Sequence, residues 1–239
     1  MVDAIVIPCF NEEIRLDMAS IAGFCIQNPD IVFCFVNDGS QDHTYDKLIK
    51  LQDEVGGHVV VENLPQNRGK GEAIRYGILS LFKKTDTRAI GYWDADLSTP
   101  LETISEFQAV LSEQNDVQLV TGCRLKRLGA NIKRGLLRHY VGRLGATLIS
   151  KKLGVGVYDT QCGAKLFRAT TAKRVFEAPF ESRWLFDVEI FARMINIFGI
   201  DRIERLIYEY PLREWKDQAG SKITVFDYIR SLYELIIVI

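Results

Sequence analysis

RAIGYWDADLSTP (88–100) sets an apolar run directly against two carboxylates, Asp94 and Asp96, two residues apart. After Arg88 the run to Trp93 is nearly all apolar, the composition of a strand covered on both faces. If strand geometry persists past Trp93, the period of two turns Asp94 and Asp96 to one side and Ala95 to the other. Two like charges held together need a positive partner, and a divalent cation with oxygen ligands suits them. D-x-D is also short and common, and a pair of solvated turn acids ahead of a helix has the same spelling.

The surrounding chain repeats the motif of apolar strand followed by helix. Strands are expected at 4–8, 31–37, 58–62, 88–93 and 118–122, with helices near 13–27, 43–55, 71–84 and 101–114. Such alternation implies an α/β chain, a doubly wound and largely parallel sheet with helices on both faces. After Gly122 the pattern changes to a basic helix at 132–153, an irregular DTQCGAKLF (159–167), a helix around 186–198, a strand near 202–208 and a last helix from Thr224. We read one domain over 1–239 with halves 1–122 and 123–239, the second half supplying one wall of a site.

With 239 residues, 47% hydrophobic and 26% charged, the chain can bury a full core, and disorder is not indicated. The five cysteines (Cys9, Cys25, Cys34, Cys123, Cys162) are scattered and lack C-x-x-C spacing, which argues against a disulfide framework or a zinc site and for a reducing cytosol. The opening MVDAIVIP enters a strand pattern without the regions of a secretory leader, and no run of 18 uncharged apolar residues occurs. His43, His58 and His139 have no metal spacing and no nucleophile partner. Net charge is −1 but uneven: from Val117 to Tyr158 there are nine basic residues and no acid. That segment is suited to an anion or an anionic surface.

In parallel α/β sheets, ligands bind outside the carboxyl ends of the strands. Three of those ends carry acids and amides: PCFNEE (8–13), NDGSQD (37–42) and DADLS (94–98). Helix caps and turns explain any one of them, since Asp42 suits an N-cap and NDGS a turn. Three together point to a site. The loop NRGKGEA (67–73) opens a helix with glycines that let backbone N–H groups approach a phosphate or ribose, and Lys70 adds charge. It is not a P-loop, since G-x-x-x-x-G-K-[ST] is absent.

IPCFNEE, VNDGSQD, NRGKGEA, DADLS and DTQCGAKLF with RWLFDVEI together resemble the family 2 glycosyltransferases of the GT-A fold, from Ile5 to Lys222. DTQCGAKLF and FDVE resemble, more narrowly, the dolichyl-phosphate glucosyltransferase and polyprenyl-phosphate sugar transferase branch. The resemblance implies a nucleotide-sugar-binding half at 1–122 and an acceptor-binding half at 123–239. It implies that Pro8, Asn11, Glu12 and Asp38 hold the base and ribose, with Lys70 beside them and Asp94 beside the nucleotide. Asp96 would ligate Mg²⁺ or Mn²⁺ on the diphosphate. Leu97 and Ser98 stand where the family often has a further metal-binding or polar group.

The resemblance also places Arg124 and Arg138 on the acceptor phosphate, with Ser221 and Lys222 in a loop that closes near the phosphates. A bidentate guanidinium fits a phosphate monoester. Such a monoester is already an anion near neutral pH, so Asp159 is expected to orient rather than to act as a base. Gln161 and Lys165 would line the same wall, and one of Asp187 and Glu189 would touch the sugar. The expected activity is inverting, metal-dependent transfer of a hexose from a nucleotide, UDP-glucose first, to undecaprenyl or dolichyl phosphate. GDP-mannose as donor, a soluble glycan hydroxyl as acceptor, and a non-catalytic nucleotide-binding module are the alternatives. The expected setting is cytoplasmic, peripheral on the inner face of the membrane. The final ITVFDYIRSLYELIIVI is read as an amphipathic helix that packs on the core or touches lipid.

Overall fold

The computed structural model describes residues 1–133 and 136–216. Along the chain lie β1 (Val2–Cys9), α1 (Met18–Gln27), β2 (Ile31–Asp38), α2 (Thr44–Val55), β3 (Val59–Leu64), α3 (Lys70–Lys84), β4 (Thr87–Tyr92), α4 (Thr103–Glu113), β5 (Leu119–Cys123) and β6 (Asn131–Lys133). There follow α5 (Leu136–Leu153), β7 (Lys165–Arg168), α6 (Ala169–Val175), α7 (Phe186–Phe198), α8 (Ile200–Leu206), β8 (Ile207–Pro211) and β9 (Glu214–Lys216). The chain divides into two compact units: one joins Met1–Leu97 to Leu166–Pro179, the other joins Ser98–Lys165 to the chain from Phe180 onward.

In the first unit the strands lie in the order β3-β2-β1-β4-β7, and β1 is parallel to both β2 and β4, as β2 is to β3. Ala4, Ile5, Val6 and Ile7 are fully buried and β2 is buried along its length, as strands covered on both faces must be. Helix α3 lies close enough on β1 and β2 that a Cβ on Gly77 would meet Val6 and Val36 at 2.7 and 2.8 Å. The chain passes from β1 outward through β2 and β3, then returns to place β4 on the other side of β1. The strand order therefore reverses between β1 and β4, the topological switch point where such sheets bind ligands. Helix α1 starts five residues later than expected. Arg15 and Leu16 N–H turn back to the Glu12 carbonyl, and Asp17 caps the helix by accepting from Ser20 N–H at 3.1 Å.

In the second unit β5 and β8 run parallel, with Thr121 opposite Glu209, and the Phe107 ring of α4 meets the Tyr210 ring at 5.4 Å. Ile132 and Lys133, expected as the start of the basic helix, instead lie with Asn131 in β6 beside β9. Ile132 and Trp215 face each other there, both buried, and their burial outweighs the helical spacing that follows. The strand expected at 202–208 is helix α8 as far as Leu206. Ile203 and Leu206, three apart, are buried together, which is a helical spacing, and the strand begins only at Ile207. Strand β7, most of which joins the first unit, begins within the stretch 159–167 where irregular chain was expected, because KLFR buries Lys165, Leu166 and Phe167 in sequence. Among the described residues no helix is long and apolar enough to cross a membrane. The expected C-terminal helix lies outside the described residues.

Candidate active site

Strand β4 ends at Tyr92, so the alternation that would carry Asp94 and Asp96 to one side does not reach them. Trp93 still donates its N–H to Val6 O at 3.0 Å, but Leu97 N–H then closes on Asp94 O at 3.1 Å. The two carboxylates thus sit on a four-residue turn rather than on a strand. Leu97 has φ 50°, and Asn11 has φ 52°; these are the two non-glycine residues with positive φ among the described residues. Asn tolerates that region through its short polar side chain, whereas a leucine there is a strained outlier. Asn11 follows β1 and Leu97 follows β4, one on each side of the switch point. Strain of this kind is held where the surroundings over-determine the chain, commonly at a functional site.

The loops at this edge are tied together by side chains. Pro8 is half-buried on β1, and Asn11 accepts from Gln41 N–H at 2.9 Å while its own N–H donates to Ser40 Oγ at 3.0 Å. Glu12 pairs with Arg15, and its N–H reaches the Thr44 hydroxyl at 2.8 Å. Asp42 accepts from Glu13 N–H at 3.2 Å and from Thr44 N–H at 3.0 Å. Asp38 is 2% exposed, and its two oxygens accept from Arg68 N–H at 2.7 Å and Gly69 N–H at 2.9 Å. That carboxylate therefore shapes the glycine loop whatever else it contacts. Gly39 (φ 67°) is required beside it, because a Cβ there would come within 2.5 Å of the Gln66 backbone. Lys70 Nζ lies 2.5 Å from Asp94 Oδ1, so one carboxylate of the D-x-D pair has a cation from the first residue of α3.

The second unit gathers a different set. Arg124, just past β5, donates Nε and Nη2 to the two oxygens of Asp159 at 2.6 and 2.7 Å, and its N–H reaches Oδ2 at 3.1 Å. The guanidinium also lies over the Trp215 ring at 5.4 Å. Lys165 is fully buried and donates to Thr160 O, Cys162 O and Asp187 Oδ1 at 3.0, 2.8 and 2.6 Å. Glu189 takes the N–H groups of Glu181 and Ser182 and pairs with Arg193 at 2.6 Å. The acids at 187 and 189 thus leave the helix in different directions, each to its own partner. Gln161 is exposed between buried neighbours, its N–H 3.3 Å from Asp159 Oδ1. Cys162 is no nucleophile: burial pushes its thiol up to about 11. Arg138 lies on α5 with its side chain outside the described set, and Ser221 and Lys222 lie outside the described residues.

A family model described as glycosyl transferase family 2 matches residues 4–176. The chain belongs to glycosyl transferase family 2. This family 2 glycosyltransferase is 31% identical over 93% of its length to a protein of Dictyostelium discoideum named dolichyl-phosphate beta-glucosyltransferase, of which it covers 69%. It is 30% identical to the human protein of that name, with 93% and 70% covered. Among solved structures, glucosyl-3-phosphoglycerate synthase of Mycobacterium tuberculosis, in complex with Mn²⁺, UDP-glucose and phosphoglyceric acid, superposes with a TM-score of 0.69 at 16% identity, covering 99% of this chain and 78% of that one. At that identity the likeness shows the fold, and the fold is GT-A.

The donor set at the switch point can be tested against a cation. Asp94 and Asp96 supply hard oxygen donors on one turn, and no group of three His, Cys, Asp or Glu side chains comes together among the described residues. A zinc-type protein cage does not match that set. A magnesium- or manganese-like ion does, since it takes one or two carboxylates and completes its shell with phosphate oxygens and water.

Two residues of this region escaped the sequence reading. Glu209 stands alone as an acid among tyrosines in IYEYP, and Arg143 is one of several bases on α5. A lone charge in the middle of a short strand was the available signal.

Proposed function

We propose that this glycosyltransferase transfers glucose from UDP-glucose to a polyprenyl phosphate, with inversion and with a divalent cation, at the inner surface of a membrane. The observation that carries the reading is the extent of the relationship. Proteins named dolichyl-phosphate beta-glucosyltransferase match 93% of the chain, which takes in most of the second unit as well as the first. The D-x-D turn beside the strained Leu97 supports it from the geometry.

On this reading the loops after β1, β2 and β3 receive the nucleotide. Pro8, Asn11 and Glu12 line the base and ribose, and Asp38 keeps the glycine loop in shape. Lys70 balances Asp94 until the diphosphate arrives, and Asp96 holds the cation. A bound Mg²⁺ or Mn²⁺ would neutralise charge growing on the leaving diphosphate. Arg124 and Arg138 meet the acceptor phosphate, with Ser221 and Lys222 near the phosphates. An acceptor that is already an anion needs no strong base. Asp159, held in a bidentate pair, orients Arg124, and Gln161 faces the substrate. Asp187 acts through Lys165.

The test is transfer from UDP-glucose and from GDP-mannose to undecaprenyl phosphate and to a plain disaccharide, with Mg²⁺, with Mn²⁺ and with excess chelator. We expect UDP-glucose with undecaprenyl phosphate to be the active pair, chelator to abolish it, and Asp96→Ala to lower it at least a hundredfold with the fold intact. Preference for GDP-mannose, or transfer to the disaccharide alone, would replace the donor or the acceptor in this reading.

A further inference from the structure

Charged side chains from β8, from α5 and from the chain just past β5 close on one dipeptide, Tyr158–Asp159. Glu209, in the middle of β8, accepts the Tyr158 N–H on both carboxylate oxygens, at 2.8 and 3.1 Å, and the Asp159 N–H on Oε1 at 2.8 Å. Arg143 of α5 donates Nη1 to the Tyr158 carbonyl at 3.2 Å and lays its guanidinium 3.5 Å from the centre of the Tyr158 ring. Arg124 takes the Asp159 carboxylate in two parallel bonds. Both peptide N–H groups, the carbonyl and the carboxylate of these two residues are therefore all held by ionised partners. Those partners lie 15 to 51 positions away in the chain.

A loop that only needs fastening does not call for this. Backbone groups are satisfied by other backbone or by water in most loops, and half-buried ions carry a desolvation penalty that apolar contacts avoid. What the arrangement does provide is direction. With its backbone fixed on both sides, Asp159 can present its two oxygens in one plane, and the planar guanidinium of Arg124 must follow that plane. Asp159 Oδ1 also meets the N–H of Gln161, the exposed residue of the same loop. The position of one carboxylate thus governs a cation and the backbone that carries Gln161 together.

We infer that Glu209 is a positioning residue for the acceptor end of the reaction: by holding the Tyr158 and Asp159 amides it sets Asp159, and through it Arg124 and Gln161, against an anionic phosphate acceptor. The inference rests on the acceptor proposed above. Glu209 itself touches no substrate. Its effect should fall on acceptor use and leave the nucleotide sugar alone.

The experiment compares wild-type protein with Glu209→Gln, which keeps volume but turns one acceptor oxygen into a donor facing the Tyr158 N–H. Geranyl phosphate serves as soluble acceptor and UDP-glucose as donor, each varied separately, and amide hydrogen exchange is followed at 158–159. Hydrogen bonds to a charged group are strong enough that we expect kcat/KM for geranyl phosphate to fall about tenfold or more. The KM for UDP-glucose should stay within about twofold, and exchange at 158–159 should quicken while the rest of the protein is unchanged. Glu209→Asp, which keeps the charge, should recover part of the loss and covers the case in which Glu209→Gln fails to fold. Unchanged acceptor kinetics in Glu209→Gln, or equal losses for donor and acceptor with a lowered melting temperature, would overturn the positioning role. A wild-type protein that transfers glucose to a sugar hydroxyl but not to geranyl phosphate would overturn the acceptor assignment instead. In that case exchange at 158–159 still reports whether Glu209 holds the peptide.

Discussion

Lys165 shows how much a single residue can organise and how little of that its sequence neighbours reveal. DTQCGAKLF marked this loop as part of a site, but nothing in it says that the lysine turns inward or that its carboxylate lies 22 residues on at Asp187. Pairings between distant positions are set by packing of whole elements, and a single sequence carries no direct record of them. The same holds for Arg124, read as a contact of the acceptor phosphate, and Asp159, read as an orienting group, which the structure brings onto one another. The fully buried ammonium of Lys165 is satisfied by three oxygens, so its removal leaves a carboxylate 7% exposed without its counter-charge. Breaking one half of a buried pair costs about 3–5 kcal/mol, far more than an exposed pair is worth. We expect Lys165→Met to lower the unfolding free energy by about that much in urea denaturation. Lys165→Met combined with Asp187→Leu should recover a large part of it, because the uncompensated charge is then gone. A double variant as unstable as the sum of the singles would show that the two residues do not act as a pair.

At the level of elements the strands of the first unit were legible because each is a short apolar run bounded by turn residues, and burial on both faces leaves few other readings. What failed were places where a helical and an extended spacing share the same letters: RIERL, which buries Ile203 and Leu206 as a helix, and NIK, which pairs with a strand some 80 residues later. The D-x-D pair was read as a strand-end feature, with a continued strand and a turn both open, and only the turn bond from Leu97 to Asp94 decides between them. The loops after β1 and β2 are joined through Asp42 and Thr44, and this junction should depend on pH. Burial pushes the Asp42 pKa up, but the Thr44 hydroxyl and amide and the Glu13 amide outweigh it, leaving the carboxyl below the usual aspartate range. With the folded-state pKa below the unfolded one, its stabilisation is complete above about pH 4 and is lost as pH falls through the depressed folded value. Asp42→Asn should therefore be less stable than wild type near neutrality and converge with it in acid. Urea unfolding followed from about pH 6 to about pH 3 checks this, and a constant difference across that range would remove Asp42 from the account.

Over the whole molecule the telling property is where charge is absent. The 42 residues from Val117 to Tyr158 carry nine bases and no acid in a chain whose net charge is −1, so the remainder is strongly acidic. That asymmetry was readable from composition alone; which bases are engaged was not. Arg124 is taken up by Asp159 and Arg143 by the Tyr158 ring and carbonyl; Lys151 and Lys152 are exposed in the last turn of α5, favourably placed at the negative end of the helix. Leu144 and Leu148 of the same helix are 65% and 43% exposed, two turns and one turn before the lysines. An exposed face that is apolar and then basic suits the boundary of an anionic bilayer, where each basic residue contributes about 1 kcal/mol. Changing Lys151 and Lys152 together to Gln should then remove about 2 kcal/mol, roughly thirtyfold in partitioning onto phosphatidylglycerol vesicles at low salt. The difference should shrink as salt shortens the range of the interaction. Transfer to geranyl phosphate in the absence of vesicles should be unaffected, since neither lysine belongs to the proposed acceptor contacts. Flotation of both proteins with vesicles of increasing phosphatidylglycerol content gives the measurement. Equal flotation of the two at low salt would mean that the basic segment meets its anion elsewhere, and the membrane half of the proposed function would have to rest on other residues.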